Sequence, residues 1–263
     1  MASRRRVSVR YESVRIDVIE DNPDGLTTLV LLPSSSRDSE DFDDLAARFS
    51  AHGLRVLRPQ PRGMCASTGP MTGLTLHDYA HDVAAVIEQL GSGPAFVLGH
   101  AFGQWVARCL ASDHPRRVRG VILAAAAARA IDPALREALG VAADPTRPRQ
   151  ARIAALQTAF FAPGHDPTVW LHNWHPAAAR SQRAASAATP IEEWWHAGSA
   201  PVLDLQAEFD PWRPPATRED IKTDLGADRV QVVLIRDASH ALIPEQPAAV
   251  VEAVADWIGR IGL

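Results

Sequence analysis

Lysine is almost missing from this chain: Lys222 is the single one, and arginine supplies the remaining basic side chains. Cysteine is nearly as scarce. Cys65 and Cys109 are the only two, too few for a disulfide framework and without the spacing of a metal-binding pair, so a reducing cytoplasm is the expected compartment. No run of about 18 apolar residues occurs, which excludes a conventional membrane-spanning helix. No apolar segment follows the short basic run Arg4-Arg5-Arg6, so no signal peptide is expected, and the run itself reads as a solvated tail. A strong excess of one sign of charge is lacking too. The formal net charge is −4 with both signs dispersed, which gives no footprint for a nucleic acid.

What remains is a chain of 263 residues, 46% apolar and 22% charged, long enough to bury a sizeable core. Val7–Tyr11 and Val14–Ile19 alternate as strands. Thr28–Leu32, Leu54–Leu57, Ala95–Leu98, Val118–Leu123, Pro201–Leu205 and Val230–Ile235 are short apolar runs of the kind buried on both faces of a parallel sheet. Between them, Ser39–His52, Leu74–Leu90, Phe102–Ser112, Glu219–Leu225 and Ala248–Ile261 carry helical periodicity. Strands alternating with helices imply βαβ units and a mostly parallel sheet of about eight strands flanked by helices. The alternation fails over 129–199, which is rich in Ala, Pro, Arg and Trp. That segment reads as a helical cap inserted into a core made of 1–128 and 200–263.

Ligands of open α/β sheets sit beyond the carboxyl ends of the strands, so the residues after each strand are the informative ones. After Leu98 comes the stretch GHAFG, followed by a helix; this is the frame G-x-S-x-G of a nucleophile elbow with Ala101 in the middle. After Leu205 comes QAEFDPWRPP with Asp210, and after Ile235 comes RDASHALIPEQP with His240. Elbow, acid and histidine stand in the chain order of the α/β-hydrolase triad. Pro59–Ser67, PQPRGMCAS, resembles the family motif P-x-x-R-G-x-G-x-S with Cys65 at the second glycine. Ala207–Pro214 resembles G-x-x-D-x-x-x-P, and Asp237–Pro247 resembles G-x-x-H-x-x-x-x-E-x-P with His240, Glu245 and Pro247 in register. Over nearly its whole length the chain therefore resembles an α/β-hydrolase fold protein.

The departures are chemical. A methyl group at Ala101 cannot attack an acyl carbon. The His-Gly that follows the third strand in the family is Pro33-Ser34 here. By register, the resemblance assigns the oxyanion-hole amides to Ser35 and Phe102, and because these are backbone groups they survive both changes. His240 with Asp210 remains as a dyad, in which a carboxylate on one ring nitrogen sets the tautomer and supports a positive charge. The elbow turn demands a positive φ at Ala101. His100 and Ser34 flank the site and are candidate substrate contacts. Trp170, Trp174, Trp194 and Trp195 are candidate walls of an apolar pocket. His172 and His175 read as solvated cap residues, and no metal or other cofactor is expected.

These residues point to an enzyme without a covalent nucleophile, acting on a small, apolar or aromatic substrate by base-activated water, for example on an activated ester or lactone. Three alternatives stay open: a non-catalytic small-ligand binder, a cofactor-free lyase or dioxygenase, and a conventional serine hydrolase with its nucleophile replaced by alanine. A small molecule is the expected partner, with no nucleic acid and no membrane, and the chain is expected to be a monomer or homodimer.

Overall fold

A computed structural model describes residues 3–261. The chain opens with strands β1 (Arg4–Tyr11), β2 (Val14–Asp21) and β3 (Thr28–Leu32), then helix α1 (Asp43–Ala51) and strand β4 (Arg55–Pro59). Helix α2 (Leu76–Leu90), strand β5 (Ala95–His100), helix α3 (Phe102–Asp113) and strand β6 (Val118–Ala124) follow. Four helices then intervene: α4 (Pro133–Ala143), α5 (Arg149–Ala159), α6 (Pro176–Ala188) and α7 (Ile191–Trp194). The sheet resumes with β7 (Val202–Ala207), α8 (Asp220–Leu225) and β8 (Val230–Ile235), and the chain closes with α9 (Leu242–Glu245) and α10 (Pro247–Ile261).

The eight strands form one sheet in the order β1-β2-β4-β3-β5-β6-β7-β8. β1 pairs with β2, and β2 with β4, in antiparallel fashion; every later pairing is parallel. This is the doubly covered, mostly parallel sheet of an α/β-hydrolase fold. The central strands β3 and β5 are buried along their whole length, as helices on both faces require. One core joins the sheet to α2 and α3, and a second joins the opposite face to α1 and α10. A third, smaller cluster links α4 and α5 to Trp170 and Trp212.

α2 begins where the Thr75 N–H donates to the Asp78 carboxylate at 2.8 Å, half of a capping box. Its apolar stripe, Leu76, Tyr79, Ala80, Val83 and Ile87, is buried against the sheet.

The basic run does not behave as a tail. Arg4, Arg5 and Arg6 are the first residues of β1 and reach across to β2, pairing with Asp21 at 2.7 Å, Glu20 at 2.6 Å and Asp17 at 2.5 Å. Strand pairing sets Arg4 opposite Asp21 and Arg5 opposite Glu20, while Arg6, opposite Ile19, reaches diagonally to Asp17; cross-strand opposite charges attract. Two of these acids are shared further into the sheet: the buried Arg58 of β4 binds Asp21 at 2.8 Å, and Arg55 also binds Glu20. No helix among the described residues is long and apolar enough to cross a membrane.

Candidate active site

β5 runs straight into α3 through Ala101, whose backbone sits at φ +47°, ψ −109°. That is a forced turn for a residue with a Cβ, and it costs on the order of 1–3 kcal/mol. Two glycines make it possible. A Cβ at Gly99 would lie 2.3 Å from the Gly103 carbonyl, and a Cβ at Gly103 would lie 2.3 Å from the Leu32 carbonyl oxygen. The turn is pinned by the Ala101 N–H donating to the Ala124 carbonyl at 3.0 Å. The elbow geometry expected from the sequence is therefore present, with a methyl group at its apex.

The first turn of α3 abuts the loop after β3, since Gly103 packs on the Leu32 and Pro33 carbonyls. That places the Phe102 and Ser35 segments side by side. Neither their amides nor any described acceptor pair off, so both N–H groups keep their donor capacity. Ser35 donates its hydroxyl to Gln182 Oε1 at 3.1 Å, and the Ser36 N–H donates to the same oxygen at 2.8 Å. Gln182, on α6, thus holds the loop; its Nε2 is buried without a partner. Nothing in the sequence singled it out.

Asp210 follows β7 and His240 follows β8, which bring them together across 30 residues of chain. His240 Nδ1 lies 3.1 Å from both carboxylate oxygens of Asp210, and both side chains are buried, at 4% and 0% exposure. Oδ1 also accepts the Trp212 N–H at 2.9 Å, which holds the carboxylate plane. Nε2 of His240 makes no hydrogen bond among the described residues. The Trp212 ring stacks on the imidazole at 5.0 Å and 28°, and Phe160 lies 5.7 Å from it. Both were overlooked in the sequence. Trp212 stands two residues after the acid and was visible there; Phe160 lies in the inserted segment, where only packing reveals it.

The histidine loop is held from outside by Glu245. Its carboxylate accepts the Ser239 N–H and the Ala162 N–H, each at 2.6 Å, and burial pushes its pKa up against those bonds. The Ala241 N–H donates to the Phe160 carbonyl at 2.7 Å. The inserted helices and the histidine loop are therefore joined by backbone.

His100 is fully buried beside the dyad. Its Nε2 donates to the His240 carbonyl at 2.8 Å. Burial, and then the neighbouring His240, push its pKa down to about 3, which favours the neutral ring. Trp170 lies 5.9 Å from His100 and 5.3 Å from Phe161. Trp174 donates its indole N–H to the Trp170 carbonyl at 2.6 Å. The Arg37 guanidinium sits over both rings, 5.1 Å from Trp170 and 4.8 Å from Trp174. Pro33, Ser34, His100 and Trp170 line a crevice too narrow for a water molecule. A separate cavity of about 30 Å³ is lined largely by apolar groups that include Pro33, Tyr79, Phe102 and Val106; it has room for a water molecule.

Two of the four tryptophans lie elsewhere. Trp194 packs on Trp105 at 5.6 Å, and Trp195 receives the guanidinium of Arg108 at 4.5 Å and of Arg129 at 4.0 Å. The Trp195 indole N–H donates to Asp224 at 2.9 Å. They belong to the flank of α3, so the expectation that they contact substrate is corrected. α7 docks on that helix, and the buried Arg108 and the exposed Arg129 occupy the aromatic faces. His175 is not free in solvent either, since its Nε2 lies 2.9 Å from Asp38.

The family model for the alpha/beta hydrolase fold matches residues 27–247. The chain belongs to that family. Over 89 residues it is 38% identical to the non-heme chloroperoxidase of Streptomyces lividans, a match covering 34% of this chain and 32% of that one. Over 81 residues it is 35% identical to the 2-(acetamidomethylene)succinate hydrolase of Mesorhizobium japonicum, covering 31% and 29%. The chain thus spans less than a third of the length of these curated relatives. Among α/β-hydrolase structures, a thermophilic esterase from Thermogutta terrifontis superposes with a TM-score of 0.78 at 21% identity, covering 98% and 99% of the two chains. The structure of E-2-(acetamidomethylene)succinate hydrolase gives 0.71 at 23% identity, covering 98% and 100%. These likenesses extend the shared fold over almost the whole chain.

Proposed function

We propose that this α/β-hydrolase family member is a hydrolase that works without a covalent nucleophile, using His240 as general base. The observation that carries the reading is the buried Asp210 carboxylate bound to Nδ1 of His240, which leaves Nε2 without a protein partner. The carboxylate favours the tautomer with the proton on Nδ1, so Nε2 is the basic nitrogen. Nε2 takes a proton from a water molecule as the water oxygen bonds to the acyl carbon. The carbonyl electrons move to its oxygen, which the amides of Phe102 and Ser35 hold. Collapse of the tetrahedral intermediate expels the leaving group, which recovers the proton from the imidazolium. Ala101 leaves the space that a serine hydroxyl would take.

A positioned imidazole contributes roughly 10²–10⁴-fold. That suits an activated ester or lactone with a small apolar or aromatic acyl part, and the apolar walls around Phe102 and Trp170 support this choice. In this reading segment 129–199 acts as a cap, with Phe160 and Trp170 facing the dyad. Two names among the relatives, a hydrolase and a chloroperoxidase, fit the same frame.

The test is a panel of aryl esters and lactones assayed with the wild-type protein, His240→Ala and Ala101→Ser. Hydrolysis by the wild type, abolished in His240→Ala, supports the proposal. Ala101→Ser is expected to raise aryl-ester turnover by several orders of magnitude, because a triad without its nucleophile has lost on the order of 10⁶ in kcat. Undetectable turnover in the wild type and in a folded Ala101→Ser points to the binder.

A further inference from the structure

In the C-terminal half of α3, the fold gathers a histidine, a thiol and two carboxylates from three helices. His77, in the first turn of α2, has Nδ1 2.7 Å from Asp113 Oδ2 and 4.0 Å from Cys109 Sγ. One donor atom from each of these three residues lies within 4.8 Å of the others. Cys109 and Asp113 are four residues apart on α3, so they share a face of that helix. The Cys109 side chain is fully buried, and His77 Nδ1 is its one polar contact among the described residues. On the other side of the ring, His77 Nε2 lies 2.7 Å from Glu193 Oε2 of α7.

We propose that His77, Cys109 and Asp113 form a divalent metal site, suited to zinc, and that Glu193 orients the histidine. Three features of the donor set point this way. Nitrogen, thiolate and carboxylate are all zinc ligands, and the soft thiolate argues against magnesium or calcium. A tetrahedral ion with bonds of about 2.0–2.3 Å separates its ligands by roughly 3.3–3.8 Å. The donors here bracket that range, at 2.7 and 4.0 Å from Nδ1, so small side-chain rotations complete the geometry. Metal-bound imidazoles characteristically donate their second ring N–H to a carboxylate, which is the position of Glu193.

Without a metal, burial and the carboxylates of Asp113 and Glu193 push the Cys109 thiol up to about 12, and the two carboxylates raise the His77 pKa. Metal binding takes the thiolate and the unprotonated Nδ1 and so releases protons, and thiolate plus Asp113 carboxylate balance the charge of a divalent ion. His77 and Asp113 are 35% and 28% exposed, so a water molecule completes the fourth position. Eight residues of helix separate Ala101 from Cys109, about 12 Å at 1.5 Å per residue. The ion is therefore a clamp between α2, α3 and, through Glu193, α7, and takes no part in the chemistry at His240. The lone spacing of the two cysteines gave no sign of it, because the ligands come from separate elements.

The decisive experiment titrates chelator-treated protein with cobalt(II), then displaces it with zinc. The expected result is one equivalent bound, with a near-ultraviolet thiolate-to-cobalt charge-transfer band that zinc removes. Cys109→Ser is expected to lose the band, with folding checked by circular dichroism. Glu193→Gln is expected to keep the band and bind about 10–100-fold more weakly. Absence of the band in the wild-type protein overturns the proposal even if Cys109→Ser does not fold. Equal stoichiometry and affinity in wild type and folded Cys109→Ser overturns it as well.

Discussion

His100 should make the fold sensitive to mild acid. In the unfolded chain it titrates at the ordinary value of 6.5, and in the native protein at about 3. Above pH 6.5 the imidazole is neutral in both states and nothing is lost. As pH falls through that value the unfolded chain gains a proton that the native state refuses, so stability drops until the pH reaches about 3. One pH unit of this mismatch is worth 1.36 kcal/mol, which gives about 2 kcal/mol at pH 5. The cause is structural: the ring is fully enclosed, Nε2 is committed to the His240 carbonyl at 2.8 Å, and the neighbouring His240 disfavours a positive charge on it. His100→Gln retains an amide donor for that carbonyl but cannot titrate. Urea unfolding of both proteins at pH 7.5 and pH 5.0, followed by circular dichroism, isolates the contribution of this residue from every other acid-sensitive group. The wild type should lose about 2 kcal/mol more than His100→Gln between the two values. Identical losses would refute the assignment of His100 as a buried neutral ring.

Asp210→Asn should leave the fold intact while lowering turnover of any substrate of the wild type by on the order of 10⁴; an amide cannot hold the Nδ1–H tautomer as a carboxylate does, and kcat at fixed pH reads the loss. Gly103→Ala drives a Cβ to 2.3 Å from the Leu32 carbonyl oxygen, a clash with backbone that cannot rotate away. It should cost about 3 kcal/mol and lower Tm by roughly 6–12 °C in a calorimetric scan. Trp212→Leu removes the ring stacked on His240; a fall in kcat with an unchanged KM marks it as a positioning residue, whereas unchanged kinetics would make the stack mere packing.

The number of strands and their succession along the chain, the elbow and the dyad were legible in the sequence because each leaves a local trace. Buried parallel strands read as apolar runs such as Thr28–Leu32, and the elbow needs Gly99 and Gly103 at fixed offsets from Ala101. Asp210 and His240 stand in loops just after their strands, and a parallel sheet places such loops at one end. Other features have no local trace. Arg4–Arg6 looked like a tail because nothing nearby in sequence shows that Asp17, Glu20 and Asp21 lie across the strand pair. Four tryptophans in one inserted segment looked equivalent, yet Trp170 and Trp174 pack around Arg37 near the dyad, whereas Trp194 and Trp195 pack against α3 and its arginines. The same holds for Phe160 on His240 and for His77 beside Cys109. Sequence alone determined the periodicities and turns, which depend on residues a few positions apart. Tertiary structure decided which side chains meet across tens of residues, because only the packing of helices on the sheet brings those surfaces into contact.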